Sequence, residues 1–137
     1  MYAGSGAVGL EAVSRGAAAA TLVESDRRAA SLITANVTDL ALVEATVIAD
    51  TVDAVLDRGP AAQAYDVAFL DPPYAMGEPE LAGTLSLLLG SGWLSGSGLV
   101  IVERSTRSPE PDWPSGLSGT SSKRYGETTL WYAEMQE

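Results

Sequence analysis

The residues best suited to chemistry are Asp71, Pro72, Pro73 and Tyr74, which follow the apolar run V-A-F-L without a break. Proline has no backbone donor and a fixed φ, so the run must end there as a strand and continue as a stiff loop. A planar amino group on an aromatic base has a delocalised lone pair and is a poor nucleophile. The Asp71 carboxylate and the Pro72 backbone carbonyl can accept its two hydrogens and so aim that lone pair. Because Pro72 and Pro73 immobilise the backbone, the acceptors are set in advance for a transition state in which the nitrogen becomes tetrahedral and positive. Tyr74 adds a ring face on which a base could stack once out of its helix or loop. The plainer alternative is a proline turn carrying a core tyrosine.

Three further signals stand upstream. Gly4, Gly6 and Gly9 have the G-x-G-x-x-G spacing at the start of a helical pattern, where missing side chains let a ligand approach the backbone; a glycine turn required for helix-to-sheet packing has the same spacing. Glu24 follows the glycine loop by roughly 20 residues, the offset at which an acid can accept hydrogen bonds from ribose hydroxyls. A solvated acid at a strand end is its ordinary counterpart. Asp50 can accept from the amino group of a nucleobase, or cap a helix starting at Thr51; two oxygens allow both.

Strands and helices must alternate to hold these residues. The pattern predicts a helix over 7–15, a strand ending at Glu24, a helix from Arg27 to Asp39 capped by Asp26 with Ala30, Ile33 and Val37 inward, and a strand over 45–49. It continues with a short helix from Thr51 to Arg58, a strand from Asp66 to Leu70, a helix from Glu80 to Leu89 and a strand over 99–103. Residues 105–122 are rich in Ser, Pro and Gly and read as irregular; a strand pair, 121–125 and 129–134, closes the chain. Alternation of this kind implies a mostly parallel α/β sheet, whose ligands sit beyond the carboxyl ends of the strands. Glu24, Asp50 and Asp71 all fall at or just past such ends.

Composition limits the chemistry. The 137 residues hold no cysteine and no histidine, which excludes the usual zinc and haem ligand sets and both Ser-His-Asp and Cys-His nucleophiles. Carboxylates, hydroxyls, backbone groups or a bound cofactor are left. The length suits one domain, and no apolar run is long enough to span a bilayer. A net charge of −10 argues against nucleic-acid binding through bulk electrostatics. The charge is uneven, however: residues 1–98 carry four basic and twelve acidic groups, residues 99–137 four and six. Arg104, Arg107, Lys123 and Arg124 could therefore form a local basic rim, or be scattered solvated charges.

Taken together, the glycine loop Y-A-G-S-G-A-V-G-L-E-A-V-S-R-G-A, the V-E, the A-D, the F-L-D-P-P-Y and the closing K-R-Y-G-E-T resemble the S-adenosylmethionine-dependent methyltransferases of the RsmD type. These methylate the exocyclic N2 of a guanine in bacterial 16S ribosomal RNA. D-P-P-Y alone is shared with many amino-methylating enzymes; the helix G-L-E-A-V-S-R-G and the tail K-R-Y-G-E-T narrow the likeness. It implies a Rossmann-like class I methyltransferase domain over residues 1–137, with a mostly parallel sheet and a C-terminal antiparallel strand pair. By the same resemblance Gly4 and Gly6 border the methionine part of S-adenosylmethionine, Glu24 its ribose and Asp50 its adenine, with Asp71 also at the cofactor. Asp71, Pro72, Pro73 and Tyr74 hold the guanine, and Lys123 and Arg124 contact phosphate. The implied protein is a cytoplasmic monomer acting on 16S rRNA or the assembling small subunit, with no metal and no membrane.

One departure matters. Family members carry a basic arm and a first strand of the form V-L-D-L before the glycine loop, and this sequence opens on Met1-Tyr2. The expectation is a chain lacking that strand, which binds S-adenosylmethionine weakly or not at all and ribosomal RNA poorly. Two rivals stay open: an amino-methyltransferase acting on DNA adenine or protein glutamine, and a non-enzymatic Rossmann-like binding module. An NAD-dependent dehydrogenase would leave D-P-P-Y without a use.

Overall fold

The computed structural model describes residues 1–3, 6–42, 44–61 and 64–136. They form two compact units, Met1–Val55 and Leu56–Glu137.

In the first unit, helix α1 (Ala7–Ser14) leads to strand β1 (Ala20–Val23), helix α2 (Arg27–Asp39), strand β2 (Ala45–Ile48) and the start of helix α3 (Val52–Arg58). β1 and β2 pair in parallel, Ala20 opposite Ala45 and Val23 opposite Ile48, and α2 is the crossover that parallel pairing requires. Helix α2 starts where the sequence predicts. The Asp26 carboxylate accepts from the N–H groups of Arg28 and Ala29, satisfying donors that have no intrahelical partner and stabilising the helix by about 1 kcal/mol. Its inward face buries Ala30 and Ile33, and Leu22 and Ile33 centre a cluster that Val37, Leu42 and Val47 complete. Gly9 is needed for this packing, since a Cβ there would come within 2.9 Å of Leu22 Cγ. Gly6 has φ +80, and a Cβ would meet Ile33 at 3.0 Å.

The second unit holds strand β3 (Tyr65–Leu70), helix α4 (Glu78–Gly90) and strands β4 (Leu94–Ser105), β5 (Leu117–Tyr125) and β6 (Thr128–Met135), in the sheet order β3-β4-β6-β5. β3 and β4 are parallel; β6 runs antiparallel to both β4 and β5. Along β4, Val100, Val102 and Arg104 are buried, which is the period-two signature of one covered face. Trp93 closes one end of the core, its indole N–H donating to the Leu56 carbonyl at 2.9 Å.

Two stretches correct the sequence reading. β4 begins at Leu94, not at residue 99: Tyr65 pairs with Leu94 and Val67 with Leu99, so S-G-S-G is absorbed as an irregularity in a paired strand. Residues 117–120, expected to be irregular, belong to β5. Their composition is poor for a strand, but β6 supplies a ladder partner for Leu117, Ser118 and Gly119, and tertiary pairing overrides weak propensity. Helix α4 also starts two residues early, at Glu78, with Pro79 in its first turn, where the missing N–H costs nothing.

Candidate active site

In the first unit, the carboxyl edge of the β1–β2 pair gathers the upstream signals. The Glu24 N–H donates to the Ile48 carbonyl at 3.0 Å, extending the pairing past Val23, so Glu24 and Asp50 lie at one edge. The chain before α1 is laced to the same edge: the Ala3 N–H donates to the Val23 carbonyl at 2.9 Å, and the Gly6 N–H to the Ala3 carbonyl at 2.8 Å. Gly4 lies outside the described residues. Each acid is held by a neighbouring amide, Glu24 Oε2 accepting from the Asp26 N–H at 2.8 Å and Asp50 Oδ1 from the Thr51 N–H at 2.7 Å. Asp50 is not the cap of α3; Thr51 takes that position, its Oγ1 accepting from the Ala54 N–H at 3.3 Å. Two anchored carboxylates beside a glycine-rich backbone are acceptors suited to ribose hydroxyls and an exocyclic amine, so this donor and acceptor set fits a nucleoside cofactor.

In the second unit, β3 delivers Asp71 at its carboxyl end. Leu70 is fully buried and pairs with Val102, Pro72 is buried, and Tyr74 is 83% exposed. A high exposure at Tyr74 removes the core-tyrosine alternative. The corner closes on itself where the Met76 N–H donates to the Pro73 carbonyl at 3.0 Å. Behind it sits Arg104, only 7% exposed, whose guanidinium donates to the Met76 carbonyl at 3.0 Å and to Glu78 Oε1 at 2.8 Å. Arg104 is thus a strut between β4 and the loop after D-P-P-Y, not part of a basic rim.

A small pocket is lined by Asp71, Pro72, Tyr74, Glu103, Arg104, Ser105 and Thr128. Next to it opens a cleft of about 510 Å³ whose walls are Tyr74, Ser105, Thr106, Arg107, Arg124 and Glu127. Arg124 and Tyr74, both expected at a substrate, therefore share a cleft. Lys123 is not on its walls; its ammonium lies 5.7 Å from the centroid of the Tyr125 ring. Neighbouring residues on a strand point to opposite faces, which separates the two cations of K-R-Y.

Arg107, a candidate for the basic rim in the sequence, lines the cleft with Arg124. Sequence reasoning missed one participant. Glu103 adjoins Asp71: burial raises the pKa of its carboxyl above the usual carboxylate range, and the charge of Asp71 and a hydrogen bond with it raise it further. An acid as the last residue of L-V-I-V-E, on the strand next to the one carrying D-P-P-Y, was the available signal.

The family profile described as conserved hypothetical protein 95 matches residues 1–134. Ribosomal RNA small subunit methyltransferase D of Escherichia coli is 35% identical over 98% of this chain and 67% of its own length. The chain belongs to the RsmD family. Among solved structures, the Escherichia coli protein yhhF superposes with a TM-score of 0.86 at 33% identity, over 98% of this chain and 72% of that one. The rRNA methyltransferase aviRa of Streptomyces viridochromogenes, 15% identical over 96% of this chain and 73% of its own, shares the fold alone, at a TM-score of 0.71. The α/β architecture, mostly parallel with an antiparallel strand pair, is thus that of the class I methyltransferases, as the sequence led us to expect. Among the described residues, the proline corner and the edge with Glu24 and Asp50 each bring carboxylates and other polar groups together. No helix among the described residues is long and apolar enough to cross a membrane.

Proposed function

We propose that this chain transfers a methyl group from S-adenosylmethionine to the exocyclic N2 of a guanine in small-subunit ribosomal RNA. The observation that carries the reading is the corner itself: an acid at a strand end, a backbone stiffened by two prolines and strutted by Arg104, and an exposed Tyr74 beside an arginine-walled cleft. The name of the Escherichia coli relative supplies the substrate class.

Asp71 and the Pro72 carbonyl accept the two N–H hydrogens of the guanine amino group, turning its lone pair out of conjugation. Tyr74 stacks the base after it leaves its helix or loop, a contact worth about 1–3 kcal/mol. Arg107 and Arg124 neutralise phosphates flanking that base, which makes affinity fall with salt despite the net charge of −10. At the other edge, Glu24 accepts from the cofactor's ribose and Asp50 from its adenine, with Gly6 near its methionine part. When bound, S-adenosylmethionine supplies a methyl group on a positively charged sulfur, which a neutral amine can attack.

The test is mass spectrometry of unmodified small-subunit rRNA incubated with isotope-labelled S-adenosylmethionine and either this chain or the chain extended upstream in its own reading frame. The expected product is N2-methylguanosine. Label on another base, on protein, or on nothing with both proteins would overturn the reading.

A further inference from the structure

A guanine amino group that accepts a methyl cation must then lose a proton, and the corner contains more acid than orientation alone requires. Leu70 pairs with Val102 in parallel register, so Asp71, the first residue past β3, stands at the level of Glu103 on the adjacent strand β4. Both line the pocket that Pro72 and Tyr74 share, and their side chains are within hydrogen-bonding reach. Two carboxylates in that position repel unless a cation or a proton lies between them. The cation on the pocket wall is turned elsewhere: Arg104 is on the buried face of β4 and donates to Glu78 and to the Met76 carbonyl. From β6 the residue opposite Glu103 is Leu130, which carries no charge, and Tyr74 is the remaining titratable group on the pocket wall.

We propose that Asp71 and Glu103 form a proton-sharing carboxyl pair in which Asp71 takes the proton from the methylated amine and Glu103 passes it to solvent. The proposal rests on the methyl-transfer reading above. In the resting pair Glu103 holds the shared proton and donates it to one Asp71 oxygen, leaving the other to accept from the substrate amine. In transfer, the bond between sulfur and the methyl carbon breaks with its electron pair kept by sulfur, while the nitrogen lone pair forms the new bond to carbon. The nitrogen is then positive and carries two hydrogens. One N–H bond breaks, its electrons return to nitrogen, and the proton goes to the Asp71 oxygen that had accepted it. The pair now holds two protons, one more than its resting state; half-buried Glu103 releases its own to water, and Asp71 passes the newly acquired one to the vacated Glu103 carboxylate. The resting pair is restored.

The direct test needs no substrate. Carbon NMR of the side-chain carboxyls in the chain alone should show Glu103 titrating above the ordinary carboxylate range, and Asp71→Asn should move it back toward that range. Glu103 titrating at an ordinary value in the parent, or unmoved by Asp71→Asn, would overturn the pair. A second measurement separates relay from structure. Glu103→Gln keeps a donor to Asp71 but cannot pass a proton, so kcat should fall by about 10-fold or more, KM should hold, and the limb of the pH–rate profile due to Glu103 should vanish. An unchanged kcat and an unchanged profile would overturn the relay. If neither the parent nor its upstream-extended form methylates guanine, the functional reading fails instead, and the NMR titration still decides whether the proton is shared.

Discussion

Two strand edges in this molecule present acids to solvent, and they are prepared in opposite ways. At the β1–β2 edge, Glu24 and Asp50 are each anchored by a backbone N–H one or two residues on, beside glycine-rich chain. At the end of β3, Asp71 stands on proline, is strutted from behind by Arg104, and faces a second carboxyl, Glu103. The first edge holds its carboxylates as fixed acceptors, which suits hydroxyl and amine donors that are held in place and keep their protons. The second brings acid against acid, which suits a group that must gain and lose a proton. Position at a strand's carboxyl end is common to both; what the neighbours do to the charge is different.

The contrast can be broken most severely at the strut. Arg104→Ala leaves Glu78 partly buried and unpaired, and loss of one partner of such a pair costs about 3–5 kcal/mol. Chemical denaturation should show that loss, and a fall below about 1 kcal/mol would mean the corner does not need its backing. At the other edge, Glu24→Ala removes a charged acceptor. S-adenosylmethionine affinity, measured by calorimetry on the chain or its upstream-extended form, should weaken by about 1.5–3 kcal/mol. Unaltered affinity would remove Glu24 from the cofactor site.

Smaller effects sharpen the division. Tyr74→Ala should raise KM for RNA by the equivalent of about 1–3 kcal/mol and leave stability nearly untouched, because the ring is 83% exposed. A stability loss larger than the binding loss would make Tyr74 structural after all. The pH dependence follows from Glu103. Its folded pKa is raised, so the folded state binds more protons than the unfolded one between the ordinary carboxylate value and the raised one. Stability should be fullest below that window and decline as pH rises through it. Glu103→Gln should flatten the decline in thermal melts taken across the window; an identical slope in both proteins would show that Glu103 does not contribute.

Local signals carried much of this into the sequence. Asp26 followed by an apolar period of helical spacing placed α2 to the residue, and two prolines after V-A-F-L ended β3 where it ends. The strand pairing of S-G-S-G and of residues 117–120 was not legible, because it depends on partners distant in the chain. The same holds at the site. Asp71 and Tyr74 stand in one short motif, whereas Glu103 and Arg104 acquire their roles from register: Leu70 opposite Val102 brings residues 32 positions apart side by side. Arg104 and Arg107 read equally as rim cations until burial assigns one to the strut and exposure leaves the other in the cleft.

The most direct measurement compares Asp71→Asn with its parent, the chain or its upstream-extended form, in single-turnover methyl transfer to small-subunit rRNA, with both proteins saturated in cofactor and RNA. Asparagine keeps the shape but offers only one acceptor oxygen and no negative charge, so the rate should fall by about 10²–10³-fold. A variant that transfers methyl at the parent's rate would show that the corner does not position the amino group.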